Sequence, residues 1–184
     1  MKCPHCGLIV TDQAPRCPGC DFTIADLERR MPSPPQRSGF VNDLARLLPA
    51  DEKDRLEARL AQFQQRCGGE IVVVTVPTTK PLKPAEYVFW LFNRWSIGGA
   101  THAGLMILLA QQEQRIECEV GYSWETIVSD VESGEVLDAH VVPLLKEQQV
   151  AAALWQGVEQ LAHILENAHS TSAGGTTGIT GEPQ

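Results

Sequence analysis

Two Cys-x2-Cys knuckles stand at the start of this sequence, Cys3-Pro-His-Cys6 and Cys17-Pro-Gly-Cys20, separated by ten residues. Each knuckle offers two thiolates from a tight turn, and a pair of such turns supplies the four soft ligands that tetrahedral zinc prefers. Residues 1–30 hold too few large apolar side chains for a core of their own, so metal-binding free energy is expected to be folding free energy there. A lone Cys-x2-Cys can also be a redox pair, but that reading needs a thioredoxin-like context. The expected ligands are therefore Cys3, Cys6, Cys17 and Cys20, a closed set with no open position for water, structural and not catalytic. His5, inside the first knuckle, reads as a solvent-facing turn residue and not as a fifth ligand. Cys67 and Cys118 complete the six cysteines; each falls on an apolar face and reads as a small core filler.

The remainder of the 184-residue chain can bury a core, because 43% of the sequence is hydrophobic and 21% charged. That balance excludes wholesale disorder, a collagen-like rod and a disulfide-packed toxin. The net charge of -8 is unevenly placed: residues 1–39 carry five basic and four acidic groups, residues 40–169 ten basic and eighteen acidic. An acidic domain of this kind argues against nucleic acid as its partner. The longest apolar run, Gly104 to Ala110, falls far short of the roughly 20 residues of a membrane-spanning helix. The N-terminus has no secretory-type apolar stretch, so a cytoplasmic location with reduced thiols is expected.

Composition divides the chain into a zinc ribbon over residues 1–30, a Pro-rich linker over 31–39, a domain over 40–167 and a disordered tail over 168–184. The linker carries prolines that cannot continue a helix and favour an extended spacer. The tail is Gly, Thr and Ser with one large apolar residue, Ile179, and cannot offset its ordering entropy by burial. Within the domain, Pro49 opens a helix whose Leu56, Leu60, Phe63 and Cys67 recur at helical spacing and which ends at Gly68-Gly69. Ile71 to Val76 and Leu105 to Ala110 are continuous apolar runs, as expected of strands covered on both faces. In Arg115 to Val120 the apolar residues alternate with charged ones, the mark of a strand with one polar face. Pro84 opens a helix with Val88, Phe89, Phe92 and Trp95 on one side. Ser129 and Glu132 have capping-box spacing at the start of another. A last helix from about Val150 places Leu154, Val158, Leu161 and Leu165 on one stripe. Helices alternating with buried strands predict an α/β sandwich.

Eight carboxylates crowd the stretch from Glu113 to Asp138, against one base, Arg115. Glu125 and Asp130 flank the turn between a strand and a helix, where α/β folds present functional groups. Clustered carboxylates there repel unless a divalent cation or a proton relieves them. The plainer alternative is that Asp130 complements the N-terminus of its helix.

Several motifs in order give the segment from Phe40 to about Leu165 a resemblance to the TPM domain family. They are Val41-Asn-Asp43, Trp95-Ser-Ile-Gly98, the run Gly104 to Ala110, Glu119-Val-Gly121-Tyr122, Glu125, Ser129-Asp130 and Pro143. The resemblance implies a mixed β-sheet packed between helices, an α/β/α sandwich, with a shallow acidic site lined by Asp43, Glu125 and Asp130. His102 and Ala103 stand where the family usually carries polar Asn or Asp, so one metal or phosphate ligand is expected to be missing. Gly121-Tyr122-Ser123 replaces the usual Gly-Tyr-Gly. Two functions follow. One is a non-enzymatic binding or assembly module whose partner is another protein and whose loops hold calcium or magnesium. The other is a metal-dependent acid phosphatase, in which such a cation polarises a phosphoryl oxygen and activates water. The sequence contains no Cys-x5-Arg loop, no phosphate-cradling glycine loop and no metalloprotease helix.

Overall fold

Two continuous apolar segments form the centre of a four-stranded sheet. The structure, a computed structural model, describes residues 2–10, 15–31 and 33–173. Strands β1 (Val41–Asp43), β2 (Glu70–Val76), β3 (Gly104–Ala110) and β4 (Arg115–Val120) lie side by side in chain order. β1 to β3 run parallel and β4 returns antiparallel, so the sheet is mixed. Every residue of β3 is buried, and so is every residue of β2 after Glu70, as a strand covered on both faces requires.

One face of the sheet, carrying Ile71, Val73, Leu105 and Ile107, is covered by α2 (Ala50–Cys67), α4 (Asp130–His140) and α6 (Val150–Ala173). α2 buries Leu56, Leu60 and Phe63, carries Asp51 and Glu52 in its first turn, and stops at Gly68, whose φ of 71° suits a residue without a Cβ. A short α5 (Val142–Lys146) links α4 to α6. The opposite face, carrying Val72, Val74, Met106 and Leu108, is covered by α3 (Pro84–Arg94) and by Leu27 of α1 (Ile24–Glu28). The α/β sandwich expected from the sequence is thus the observed fold. Because α2 and α3 connect successive parallel neighbours yet lie on opposite faces, the two crossovers have opposite hand, and one departs from the right-handed rule.

Two expectations are corrected. α3 buries Tyr87, Val88, Trp90 and Leu91, whereas Phe89, Phe92 and Trp95 are only half-buried. β1 was not legible as a strand. α6 continues to Ala173, so residues 168–173 are helical and not part of a loose tail; residues 174–184 lie outside those described. The segment before β1 has no helix or strand, and side chains pin it to the domain. Trp95 Nε1 donates to the Pro35 carbonyl at 2.9 Å, Arg37 pairs with Glu70, and Asn42 accepts from the Ser38 amide at 2.7 Å. Glu57 of α2 then accepts from the amides of Phe40 and Val41 at 2.9 and 2.7 Å, which fixes the entry into β1. Among the described residues no helix is long and apolar enough to cross a membrane.

Candidate metal centre and acidic loops

The two cysteine knuckles fold as copies of one turn. In the first, the Cys3 amide donates to Leu8 O at 2.8 Å and the Gly7 amide to Cys3 O at 2.9 Å. In the second, the Cys17 amide donates to Phe22 O at 3.0 Å and the Asp21 amide to Cys17 O at 2.8 Å. The residue after the second cysteine is left-handed in both, Gly7 at φ 80° and Asp21 at φ 60°. Asp tolerates that conformation better than most residues.

All four Sγ atoms lie within 4.8 Å of one another, with Cys3–Cys20 at 3.8 Å and Cys6–Cys17 at 3.7 Å. A tetrahedral ion with metal–sulfur bonds of about 2.3 Å needs sulfurs about 3.8 Å apart. The cluster therefore fits a metal ion. Burial raises the Cys17 thiol, but the Gly19 amide and the Cys20 and Cys3 thiols bring it down to about 7. At Cys20 the Phe22 amide acts to lower the value, yet burial and the three neighbouring thiols push it up to about 12. One thiolate is thus favoured at the expense of its neighbours, and a bound cation is what holds four together.

His5 is neither a ligand nor merely a solvent-facing residue. It donates from Nδ1 to Glu86 Oε1 at 2.7 Å and stacks on Phe22 with ring planes 3° apart. Glu86 is buried on α3, where it also accepts from the Lys83 amide at 3.1 Å and pairs with Arg30. Burial opposes its charge, but His5, the Lys83 amide and Arg30 together hold its carboxyl below the usual range. Phe22 meets Phe89 edge-on, and Arg94 pairs with Glu28 at 3.1 Å. The cysteine-bearing segment is docked on the α3 face of the sheet.

The three acidic residues do not converge. Asp43 ends β1 at one edge of the sheet, and its oxygens accept from the Leu47 and Leu48 amides, both at 2.9 Å, and from the Thr75 hydroxyl. That carboxylate fixes the turn after β1. Glu125 and Asp130 follow β4 at the other edge, three strand spacings or about 14 Å away. Because β4 is antiparallel, Glu125 also lies towards the opposite end of the strands. Asp130 Oδ2 accepts from the Lys2 amide at 2.8 Å, and its Oδ1 is buried without a hydrogen-bond partner among the described residues. Ser129 and Glu132 form the expected capping box.

Glu119 joins these two and was missed. Its position on the charged side of β4 suggested solvent, but it is only 7% exposed, because the docked cysteine segment and α3 cover that side. Burial, then the charges of Asp130 and Glu125, push its carboxyl well above the usual range. Among the described residues, however, the cysteines alone form a group of three or more candidate ligands with donor atoms within 4.8 Å. His102 is an exposed loop residue at φ 53° whose carbonyl accepts from the Ser123 amide at 3.3 Å. Cys67 and Cys118 pack against the core as expected, and burial pushes both thiols up.

A mixed sheet between two helical layers, entered through a docked four-cysteine segment, places the chain among α/β domains with an appended pair of cysteine knuckles that could hold a metal ion. Residues 41–164 match the model of the TPM domain, and the chain belongs to that family. Among solved structures it is similar to the N-terminal domain of a protein from P. gingivalis, at 21% identity and a TM-score of 0.66, covering 82% of this chain and 92% of that one. The N-terminal domain of the cg2496 protein from Corynebacterium glutamicum aligns at 16% identity and a TM-score of 0.56, over 83% and 95% of the two chains. The BA42 protein from Bizionia argentinensis aligns at 16% identity and a TM-score of 0.57, over 65% and 82%. No protein of curated function matches the sequence.

Proposed function

We propose that this chain is a non-enzymatic binding or assembly module, in which a zinc-loaded ribbon and a TPM domain present one composite surface to another protein in a reducing, cytoplasmic setting. The observation that carries this reading is the docking itself. Lys2, Cys3, Pro4, Cys6 and Gly7 of the ribbon, with α3, β4 and α4, line a single cleft of about 510 Å³. Zinc is the ion this ligand set suits, because four thiolates close a tetrahedral site and leave no position for water. Calcium or magnesium would find oxygen donors at Glu125 and Asp130, with Asp43 already engaged by its own turn.

The bare Oδ1 of Asp130 favours a second reading, a metal-dependent acid phosphatase, since a cation is what such an oxygen would bind. The two separate by turnover. The module reading expects one zinc per chain, lost in Cys17→Ser, and no hydrolysis of p-nitrophenyl phosphate with magnesium, calcium or manganese. Hydrolysis that Asp130→Asn abolishes in a still-folded chain would overturn it.

A further inference from the structure

The ribbon is fastened at two points on opposite faces of the sheet. His5 donates to Glu86 of α3, and just before it in the chain the Lys2 amide donates to Asp130 Oδ2 at 2.8 Å, in the first turn of α4. α3 and α4 cover opposite faces and β4 is the edge strand, so the segment from Lys2 to His5 crosses the outer edge of β4. Lys2, Cys3 and Pro4 accordingly line one cleft with Ile116, Glu117, Cys118, Glu119 and Asp130. This strap lies over Glu119, which is buried.

Lys2 sits in the cleft much as a cation would. Its amide takes one oxygen of Asp130, and its ammonium acts on Glu117, whose carboxyl is raised by burial while Arg115 and then Lys2 oppose the rise. The second oxygen, Asp130 Oδ1, is buried with no hydrogen-bond partner among the described residues. A carboxylate oxygen left bare in this way is costly, and a divalent cation relieves it. The strap in turn takes its position from the first knuckle. The Cys3 amide donates to Leu8 O at 2.8 Å, Lys2 pairs with Ile9 across the same turn, and the Cys3 thiol belongs to the four-sulfur cluster. A metal that fixes Cys3 thereby fixes Lys2.

We propose that the metal-loaded ribbon is an autoinhibitory strap: with zinc bound, Lys2 holds Asp130 and closes the acidic cleft to a divalent cation, and loss of zinc releases the strap and opens it. The proposal rests on the reading of Glu125 and Asp130 as oxygen donors for calcium or magnesium, and adds the regulation of that site. The two ions never meet; they favour different positions of residues 2–5. Such coupling is reciprocal, so whatever factor zinc loading takes from calcium affinity, calcium takes from zinc affinity.

Calorimetric titration of calcium into the full chain tests this, with zinc-loaded wild type compared with Cys17→Ser, each shown folded by circular dichroism. A hydrogen bond to a charged group is worth roughly a factor of ten, so the zinc-loaded chain should bind calcium about tenfold more weakly. His5→Ala keeps all four cysteines and breaks the anchor on α3; loaded with zinc, it should bind calcium more tightly than the loaded wild type. A zinc-chelating dye should then report zinc affinity falling by a similar factor in saturating calcium. Asp130→Ala should lose calcium and also bind zinc more weakly, although it carries no zinc ligand. Equal calcium affinity in loaded wild type, Cys17→Ser and loaded His5→Ala would overturn the strap and leave the cation reading standing. Tighter calcium binding by the loaded wild type would overturn it as well. No calcium binding by any of these proteins would overturn both.

Discussion

Truncating Leu27 to alanine tests whether the ribbon is held to the domain by the metal. Leu27 is 1% exposed and sits in the apolar cluster with Val72, Trp90 and Met106. Its helix, Ile24–Glu28, is five residues long, too short to persist without packing. Removing a buried leucine side chain and leaving its cavity costs about 2–5 kcal/mol. If the metal-free ribbon undocks, only the metal-loaded state loses that energy, and the loss appears in metal affinity. At about 1.4 kcal/mol per factor of ten, even 2 kcal/mol weakens zinc binding roughly 30-fold. Competition against a chelating dye on the full-length wild type and Leu27→Ala reads this directly. Thermal unfolding of both proteins without metal should then give the same midpoint. Unchanged affinity, with equal destabilisation of the metal-free and metal-loaded forms, would refute the argument, because the ribbon would then stay docked without its ion.

Three other substitutions probe the sheet and its loops. The Glu119 carboxyl is raised in the folded state, chiefly by burial, so the folded form binds its proton more tightly than the unfolded chain. Its contribution to stability is complete below the ordinary value of 4.5 and is lost as pH rises through the raised one. Glu119→Gln should therefore stabilise the protein at neutral pH, by about 1.4 kcal/mol per unit of displacement, with the difference vanishing below that ordinary value in denaturant titrations. Gly121→Ala would press its Cβ into the His102 carbonyl oxygen and within 3.0 Å of Gly104 O, both main chain, and should destabilise by about 1–3 kcal/mol or more in urea melts. Asp43→Ala strands the Leu47 and Leu48 amides and should lower the thermal midpoint by about 1–3 kcal/mol equivalent. An unchanged midpoint would contradict the turn-fixing role.

Local chemistry made much of this fold legible before any coordinates. Continuous apolar runs identify β2 and β3 because both of their faces are covered, and the cysteine spacing identifies the four-thiol cluster because knuckle geometry is local. Ser129 and Glu132 work for the same reason. What depends on tertiary context was not legible. β1 is three residues long and gives no period. α3 is apolar almost all round, from Tyr87 to Phe92, so spacing alone cannot choose its buried side. Glu119 follows the alternation of a half-solvated strand, and only the docked ribbon reverses its environment. Asp43 looks like a ligand in sequence because a carboxylate that caps a turn and one that binds a cation are the same residue type.

The pinned segment between the ribbon and β1 sets a limit on how far anything upstream can travel. With Pro35 held by Trp95 and Arg37 held by Glu70, a released ribbon hangs on a leash of a few residues anchored beside the surface it left. A short tether of that kind keeps its cargo at an effective concentration on the order of millimolar. Redocking is then a first-order event, insensitive to dilution. Any competitor for the α3 face must outbid a neighbour that never leaves.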